Sequence, residues 1–160
     1  MGSQPTSWRS SRATSMGQTG AGTGRVLGLD LGDVRIGVAI SDPERRLAVP
    51  LGTLRTGAPA DLKAVARLVE EHDVTAVVVG LPLRMSGEPG TRARHAEEFA
   101  AALRALLHVP IVLHDERLST IEADRALKEA GASGRDRRRV VDRSAATVVL
   151  QSWLDTDRRS

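Results

Sequence analysis

From Arg25 onward the chain alternates short apolar runs with polar breaks. Val26-Leu27-Gly28-Leu29-Asp30 is apolar until its closing acid, and residues 35–41 and 48–56 share its strand-like make-up. The links between these runs, 31–34 and 42–47, are too short for a crossover helix, so the three strands are expected to pair antiparallel. A helix should follow, with Pro59 near its first turn, an apolar stripe at Leu62, Val65, Ala66 and Val69, and an end near His72. Residues 74–80 are apolar and largely β-branched, as in a strand buried on both faces. The segment 81–90, with Pro82, Gly87, Pro89 and Gly90 among charged residues, is expected to be a loop leaving that strand.

Residues 91–107 have helical spacing, with Ala96, Phe99, Ala100 and Leu103 on one face, and 110–115 form another apolar run. Ser119 and Glu122 have the spacing of a capping box, opening a helix that Gly131 would stop. An arginine-rich stretch, with Arg135, Arg137, Arg138 and Arg139, then leads into a last helix predicted over 140–154. The order strand-strand-strand, helix-strand-helix-strand, helix-helix specifies an α/β fold. Its mixed sheet should have an antiparallel edge, a parallel centre and helices on both faces.

Composition sharpens this picture. The length of 160 residues suits one globular domain. Residues 1–24 are Ser-, Thr-, Gly- and Arg-rich and nearly devoid of large apolar side chains, so they are expected to form a disordered tail before a domain spanning 25–157. The lesser alternative for this start is an organellar transit peptide. The net charge of +3 comes entirely from Arg9, Arg12 and Arg25, which leaves the chain from Val26 onward neutral. The absence of cysteine excludes disulfides, thiolate metal sites and cysteine nucleophiles. An aromatic content of 2% argues against base-stacking platforms of the RRM or OB type. With no long apolar run and no secretory h-region, a cytoplasmic protein without membrane attachment is expected.

Three acids occupy positions where acids are costly. Asp30 closes what should be a central strand, Glu116 follows Asp115 at the exit of a buried strand, and Asp142 falls on the core-facing stripe of the last helix with Ala145, Ala146, Val149 and Trp153. Each has a plain explanation: a turn with Gly32 for Asp30, a solvated strand exit for Glu116, a helix cap for Asp142. Together they say more, because a sheet of this order could bring all three to one edge. Three carboxylates within ~5 Å of one another repel by roughly 3 kcal/mol per pair at an effective dielectric of 20, which calls for divalent cations. All-oxygen ligands select Mg²⁺ or Mn²⁺. His114, inside a strand, and His95, on a helix, are expected to be neutral and hydrogen-bonded rather than catalytic. There is no Walker loop, no nucleophile elbow and no His-Glu-x-x-His.

Four strings carry a resemblance. They are Gly28-Leu29-Asp30-Leu31-Gly32 with Arg35-Ile36-Gly37-Val38-Ala39; Val79-Gly80-Leu81-Pro82-Leu83; His114-Asp115-Glu116-Arg117-Leu118-Ser119-Thr120; and Val141-Asp142 through Gln151. In this order they resemble the YqgF/RuvX family of Holliday-junction-resolvase-like and ribosomal RNA maturation nucleases, over about residues 25–155. The resemblance implies a ribonuclease-H-like five-stranded sheet in the order 3-2-1-4-5. It also implies metal-dependent hydrolysis of phosphodiesters with Mg²⁺ or Mn²⁺ held by Asp30, Glu116 and Asp142, Asp115 being the second choice beside Glu116.

Substrate phosphates would then meet arginines around the acids: Arg35, Arg84, Arg117 and the cluster Arg135, Arg137, Arg138 and Arg139, with Arg92 and Arg94 as further candidates. Precursor small-subunit ribosomal RNA, cut near its 5′ end, is the first expectation for the substrate, and branched DNA is the rival. Ribosomal particles are a further expected partner, and the chain is expected to be a monomer or a homodimer. Two other classes stay open: a non-catalytic ribosome assembly factor, and a nucleotide-binding relative of the actin-like ATPases, which share the Asp-Leu-Gly turn but are about twice as long.

Overall fold

A computed structural model describes residues 22–83, 86, 88, 90–118 and 144–159. Five strands, β1 (Arg25–Leu31), β2 (Arg35–Ser41), β3 (Ala48–Arg55), β4 (Val74–Leu81) and β5 (Ile111–Asp115), form one sheet in the order β3-β2-β1-β4-β5. β1 pairs antiparallel with β2 and β2 with β3, while β4 lies parallel to both β1 and β5. The short links between the first three strands and the helical connections thereafter dictate this pattern. Three helices have defined bounds: α1 (Ala60–Glu71), α2 (Thr91–Leu106) and α3 (Ala145–Arg159).

Strand alternation divides the core in two. Leu27, Leu29, Ile36, Val38, Val77 and Val79 point to one face, where Val65 and Val69 of α1 and Phe99, Ala100 and Leu103 of α2 cover them. Val26, Ala39, Ala76 and Val78 point to the other, under Ala146, Val149, Leu150 and Leu154 of α3. The second face is built of small residues, which lets α3 lie close. At Gly28 an added Cβ would stand 2.7 Å from Leu150 Cβ and 3.3 Å from the Ala146 carbonyl oxygen.

The last helix departs from expectation. It begins at Ala145 rather than 140, because Ser144 supplies the cap: its Oγ accepts from Thr147 N (3.1 Å). The buried stripe is therefore Ala146, Val149, Leu150 and Leu154, with Ala145 exposed and Trp153 only half-buried. Trp153 instead lies under the Arg45 guanidinium, 5.9 Å from its ring centroid. Arg45 also donates to the carbonyls of Thr23 and Gly24 and to Thr75 Oγ1, fixing the chain where it enters β1.

A second departure is at residue 116. Residues 116–118 are already helical, ahead of the Ser119 capping box, because Asp115 caps them: its Oδ1 accepts from Arg117 N (2.9 Å). Ser119 and Glu122 of that box, most of the predicted tail (1–21), and Arg84, Arg135, Arg137, Arg138, Arg139 and Asp142 lie outside the described residues. Among the described residues no helix is long and apolar enough to cross a membrane.

Candidate metal and phosphodiester site

The site begins with register. β1 and β4 run parallel with Leu29 beside Val79, so the next residues along, Asp30 and Gly80, are neighbours on the α3 face of the sheet. β5 ends one strand further out, and the chain turns back over β4 at Glu116. Because Gly80 has no side chain, Glu116 can lie across it; a Cβ at position 80 would be 2.6 Å from Glu116 Oε2. That path brings the Glu116 carboxyl into a hydrogen bond with Asp30. Two of the three sequence-predicted acids are thus brought together, half-buried, at the C-terminal ends of the central strands.

The electrostatics of the pair show in the Glu116 carboxyl, half-buried beside Asp30. Glu116 is pushed up to about 7, first by burial, then by the charge of Asp30 and the hydrogen bond with it, with Asp115 adding to the rise. Arg92 works in the opposite direction, lowering Glu116 by its charge. Arg92 projects from the first turn of α2 around the end of the sheet, where its Nη2 donates to the Leu31 carbonyl (3.4 Å). Sequence reasoning had Arg92 only among several loop and helix arginines, with no spacing to single it out. Gly80 carried a readable signal, a glycine inside an apolar strand, which marks close approach of another group.

Asp115 and Arg117 occupy each other. Arg117 Nη2 lies 2.7 Å from Asp115 Oδ2, and its Nε is 3.1 Å from both carboxylate oxygens. This pairing holds Asp115 below the usual carboxylate range. With one acid fixed to its own arginine, Glu116 is the acid of the pair turned toward Asp30. His114 is buried, with Nε2 3.0 Å from Ser152 Oγ, which ties the end of β5 to α3. His95 is exposed on α2, at a tilted contact with Phe99.

The third acid, Asp142, is outside the described residues, two positions before Ser144 in the sequence. α3 runs antiparallel to β1: Ala146 lies against Gly37 and Gly28, whereas Gln151 reaches Ala48 N (2.9 Å) at the far end of the sheet. Its N-terminus, Ser144, therefore arrives at the Asp30 end.

Oxygen donors on two elements, with the Glu116 carboxyl raised to about 7, fit a hard divalent cation, which would compete with the Glu116 proton. No group of three or more acids or histidines able to hold a metal forms among the described residues. Beside the acids, on the α1/α2 side of the strand end, a cavity of about 500 Å³ is lined by Leu31, Gly32, Thr56, Thr91, Arg92 and Arg94, among others.

A family profile described as RuvX, Holliday junction resolvase, matches residues 24–156. A protein of Anaeromyxobacter dehalogenans (strain 2CP-C) named "Putative pre-16S rRNA nuclease" is 50% identical over 132 residues, covering 82% of this chain and 96% of its own. A protein of Rhodococcus opacus (strain B4) with the same name is 45% identical over 145 residues, covering 87% and 82%. Among solved structures, Thermus thermophilus RuvC in complex with Holliday junction substrate superposes with a TM-score of 0.54 at 16% identity, over 85% of this chain and 96% of that one. The yeast mitochondrial Holliday junction resolvase Ydc2 superposes at 0.51 and 10% identity, over 92% and 85%. At these identities the two structures establish the fold.

Proposed function

The chain belongs to the RuvX family, and from that premise we propose that it is a metal-dependent endonuclease that hydrolyses phosphodiester bonds, with precursor small-subunit ribosomal RNA as its substrate. The observation that carries this reading is the Asp30–Glu116 pair, two half-buried carboxyls sharing a hydrogen bond at the strand ends with Glu116 raised to about 7. An acid pair of this kind is costly to keep without a cationic ligand.

Asp30 and Glu116, with Asp142 from the segment entering α3, would hold Mg²⁺ or Mn²⁺. When bound, such ions lower the pKa of water and stabilise the leaving oxygen of a phosphodiester. The rest falls to this chain's own side chains. Arg92, at the rim, stands where it can meet a phosphate oxygen while moderating the rise of Glu116. Gly80 keeps the floor open. The Asp115–Arg117 pair caps the helical turn that begins at Glu116 and so fixes that carboxyl's approach. Arg35, Arg84, Arg117 and Arg135, Arg137, Arg138 and Arg139 are proposed phosphate contacts around this centre. A cytoplasmic location and association with precursor ribosomal particles go with the reading, as does a monomer or homodimer.

The test compares purified protein on a pre-ribosomal RNA leader and on a four-way DNA junction, each with Mn²⁺ or Mg²⁺ and with Asp30→Asn as control. RNA cleavage that leaves a 5′-phosphate and vanishes in Asp30→Asn is expected. Cleavage of the junction alone would assign the branched-DNA substrate instead, and cleavage of neither would refute the nuclease reading.

A further inference from the structure

Two arginines stand side by side on the sheet face that carries Asp30. Gly37 belongs to that face, since a Cβ there would lie 3.6 Å from Ala146 Cβ and 3.9 Å from Asp30 Cβ. Arg35 is two residues along β2 and therefore shares it. Arg55 is the register partner of Arg35 on β3, while the adjacent Leu54 pairs with Ile36 and packs on the opposite face. Thr56 N donates to the Val34 carbonyl (2.9 Å), so 34 and 56 form a hydrogen-bonded pair. Arg35 and Arg55 are then the close, non-hydrogen-bonded kind, with Cα atoms about 4.5 Å apart.

Like charges directly opposite on neighbouring strands are destabilising. Both side chains are exposed, and neither makes a hydrogen bond or ion pair among the described residues. Asp30 is the diagonal neighbour of Arg35, about 7–8 Å away, a distance a long side chain can span, yet the two make no ion pair among the described residues. A cross-strand cation pair without an ion-pair partner among the described residues, one diagonal step from the acids, has the form of an anion clamp. Two guanidiniums on adjacent strands offer two forks of N–H donors in the same direction, the arrangement that suits phosphate oxygens.

We propose that Arg35 and Arg55 together grip the sugar–phosphate backbone of the RNA strand on the β3 side of the Asp30–Glu116 centre, so that the strand crosses the sheet end from β3 toward β4. Arg35 thereby gains a partner and a direction, and Arg55 becomes a substrate-positioning residue. The assignment rests on the nuclease reading.

Binding of a single-stranded RNA oligomer is measured against salt concentration in the Asp30→Asn background, where no cleavage interferes, and thermal unfolding is followed in parallel. Each phosphate contact on a single strand contributes about 0.7 to the slope of log affinity against log salt. Arg55→Gln should therefore lower the slope by about 0.7, and Arg35→Gln with Arg55→Gln by about 1.4. Arg55→Lys should retain the slope.

Arg55→Glu gives opposite signs for the two readouts. It removes the repulsion and sets a carboxylate opposite Arg35, so the midpoint of unfolding should stay or rise while RNA affinity falls at least tenfold. A merely structural role for Arg55 predicts a lower midpoint and an unchanged slope, and would overturn the clamp. RNA binding and Asp30-dependent cleavage that persist with an unaltered slope in both Gln variants would overturn the clamp alone. Failure of the Asp30→Asn protein to bind RNA, with no cleavage by wild type, would overturn the nuclease reading and the clamp together.

Discussion

Gly80→Ala separates the site from the fold more cleanly than removal of an acid. The new Cβ would stand 2.6 Å from Glu116 Oε2 and 3.2 Å from its Cδ and Cγ. Ordinary contact distances begin near 3.5 Å, so the carboxylate must retreat by about 1 Å. The atom that gives way is the tip of a flexible side chain, and Gly80 has ordinary strand backbone that alanine also adopts. Folding should therefore not suffer, and the loss of glycine's freedom in the unfolded chain is worth about 0.4–1 kcal/mol in favour of the variant. Catalysis should suffer, since displacing a reacting group by about 1 Å costs on the order of 100-fold. Single-turnover cleavage of end-labelled RNA beside thermal unfolding reads both quantities. The expected result is a rate 30- to 100-fold lower, as an order of magnitude, at an equal or higher unfolding midpoint. A wild-type rate would show that Glu116 does not need its place over β4, and the reasoning would fail.

Three other outcomes follow from the same structure. Glu116 is held up to about 7 against an ordinary 4.5, so between these values the folded protein keeps a proton that the unfolded chain has released. Without divalent cations, stability should fall as pH rises from about 4.5 to about 7 and level off above, and Asp30→Asn should make the decline shallower; urea unfolding across that range reads it. Gly28→Ala would set a Cβ 2.7 Å from Leu150 Cβ and 3.3 Å from the Ala146 carbonyl. Backbone must move there, at a cost of about 1–3 kcal/mol by denaturant titration, in contrast to the tolerated Gly80→Ala. Ser152→Ala removes the partner 3.0 Å from His114 Nε2 and should destabilise by about 1–3 kcal/mol, with Ser152→Thr retaining part of the loss.

Much of this fold was legible because its signals are local and redundant. The first three strands were set by apolar runs joined through links too short for a helix, and the observed β2 bounds, Arg35–Ser41, coincide with the expected ones. What was not legible depended on competition between nearby signals. Val140 and Val141 extend the apolar pattern of the last helix, yet the Ser144 hydroxyl starts it at Ala145. Likewise Asp115, two residues before Arg117, caps the turn at 116–118 ahead of Ser119, and this became apparent only from its hydrogen bonds. Trp153 has core spacing but is drawn to Arg45, a residue more than one hundred positions away that no periodicity connects to it.

At the site, Asp30 and Glu116 could be singled out as acids out of place, because each ends an apolar strand. That they touch depends on the Asp30–Gly80 register and on the missing side chain at Gly80, which are facts of the sheet rather than of either motif. The placement of Arg92 and the role proposed for Arg55 were hidden for the same reason. Arg92 comes to the Leu31 carbonyl around a strand end and Arg55 stands beside Arg35 through a cross-strand pairing, and a one-dimensional pattern records neither.

The central claim, that Asp30 and Glu116 form one cation-binding centre, is tested most directly by calorimetric titration of Mn²⁺ into the whole protein at about pH 7, near the value that Glu116 reaches. Wild type should bind saturably and release a proton, and both Asp30→Asn and Glu116→Gln should bind at least tenfold more weakly with the proton release lost. Equal Mn²⁺ affinity in wild type and both variants, or no binding by folded wild type, would contradict the account.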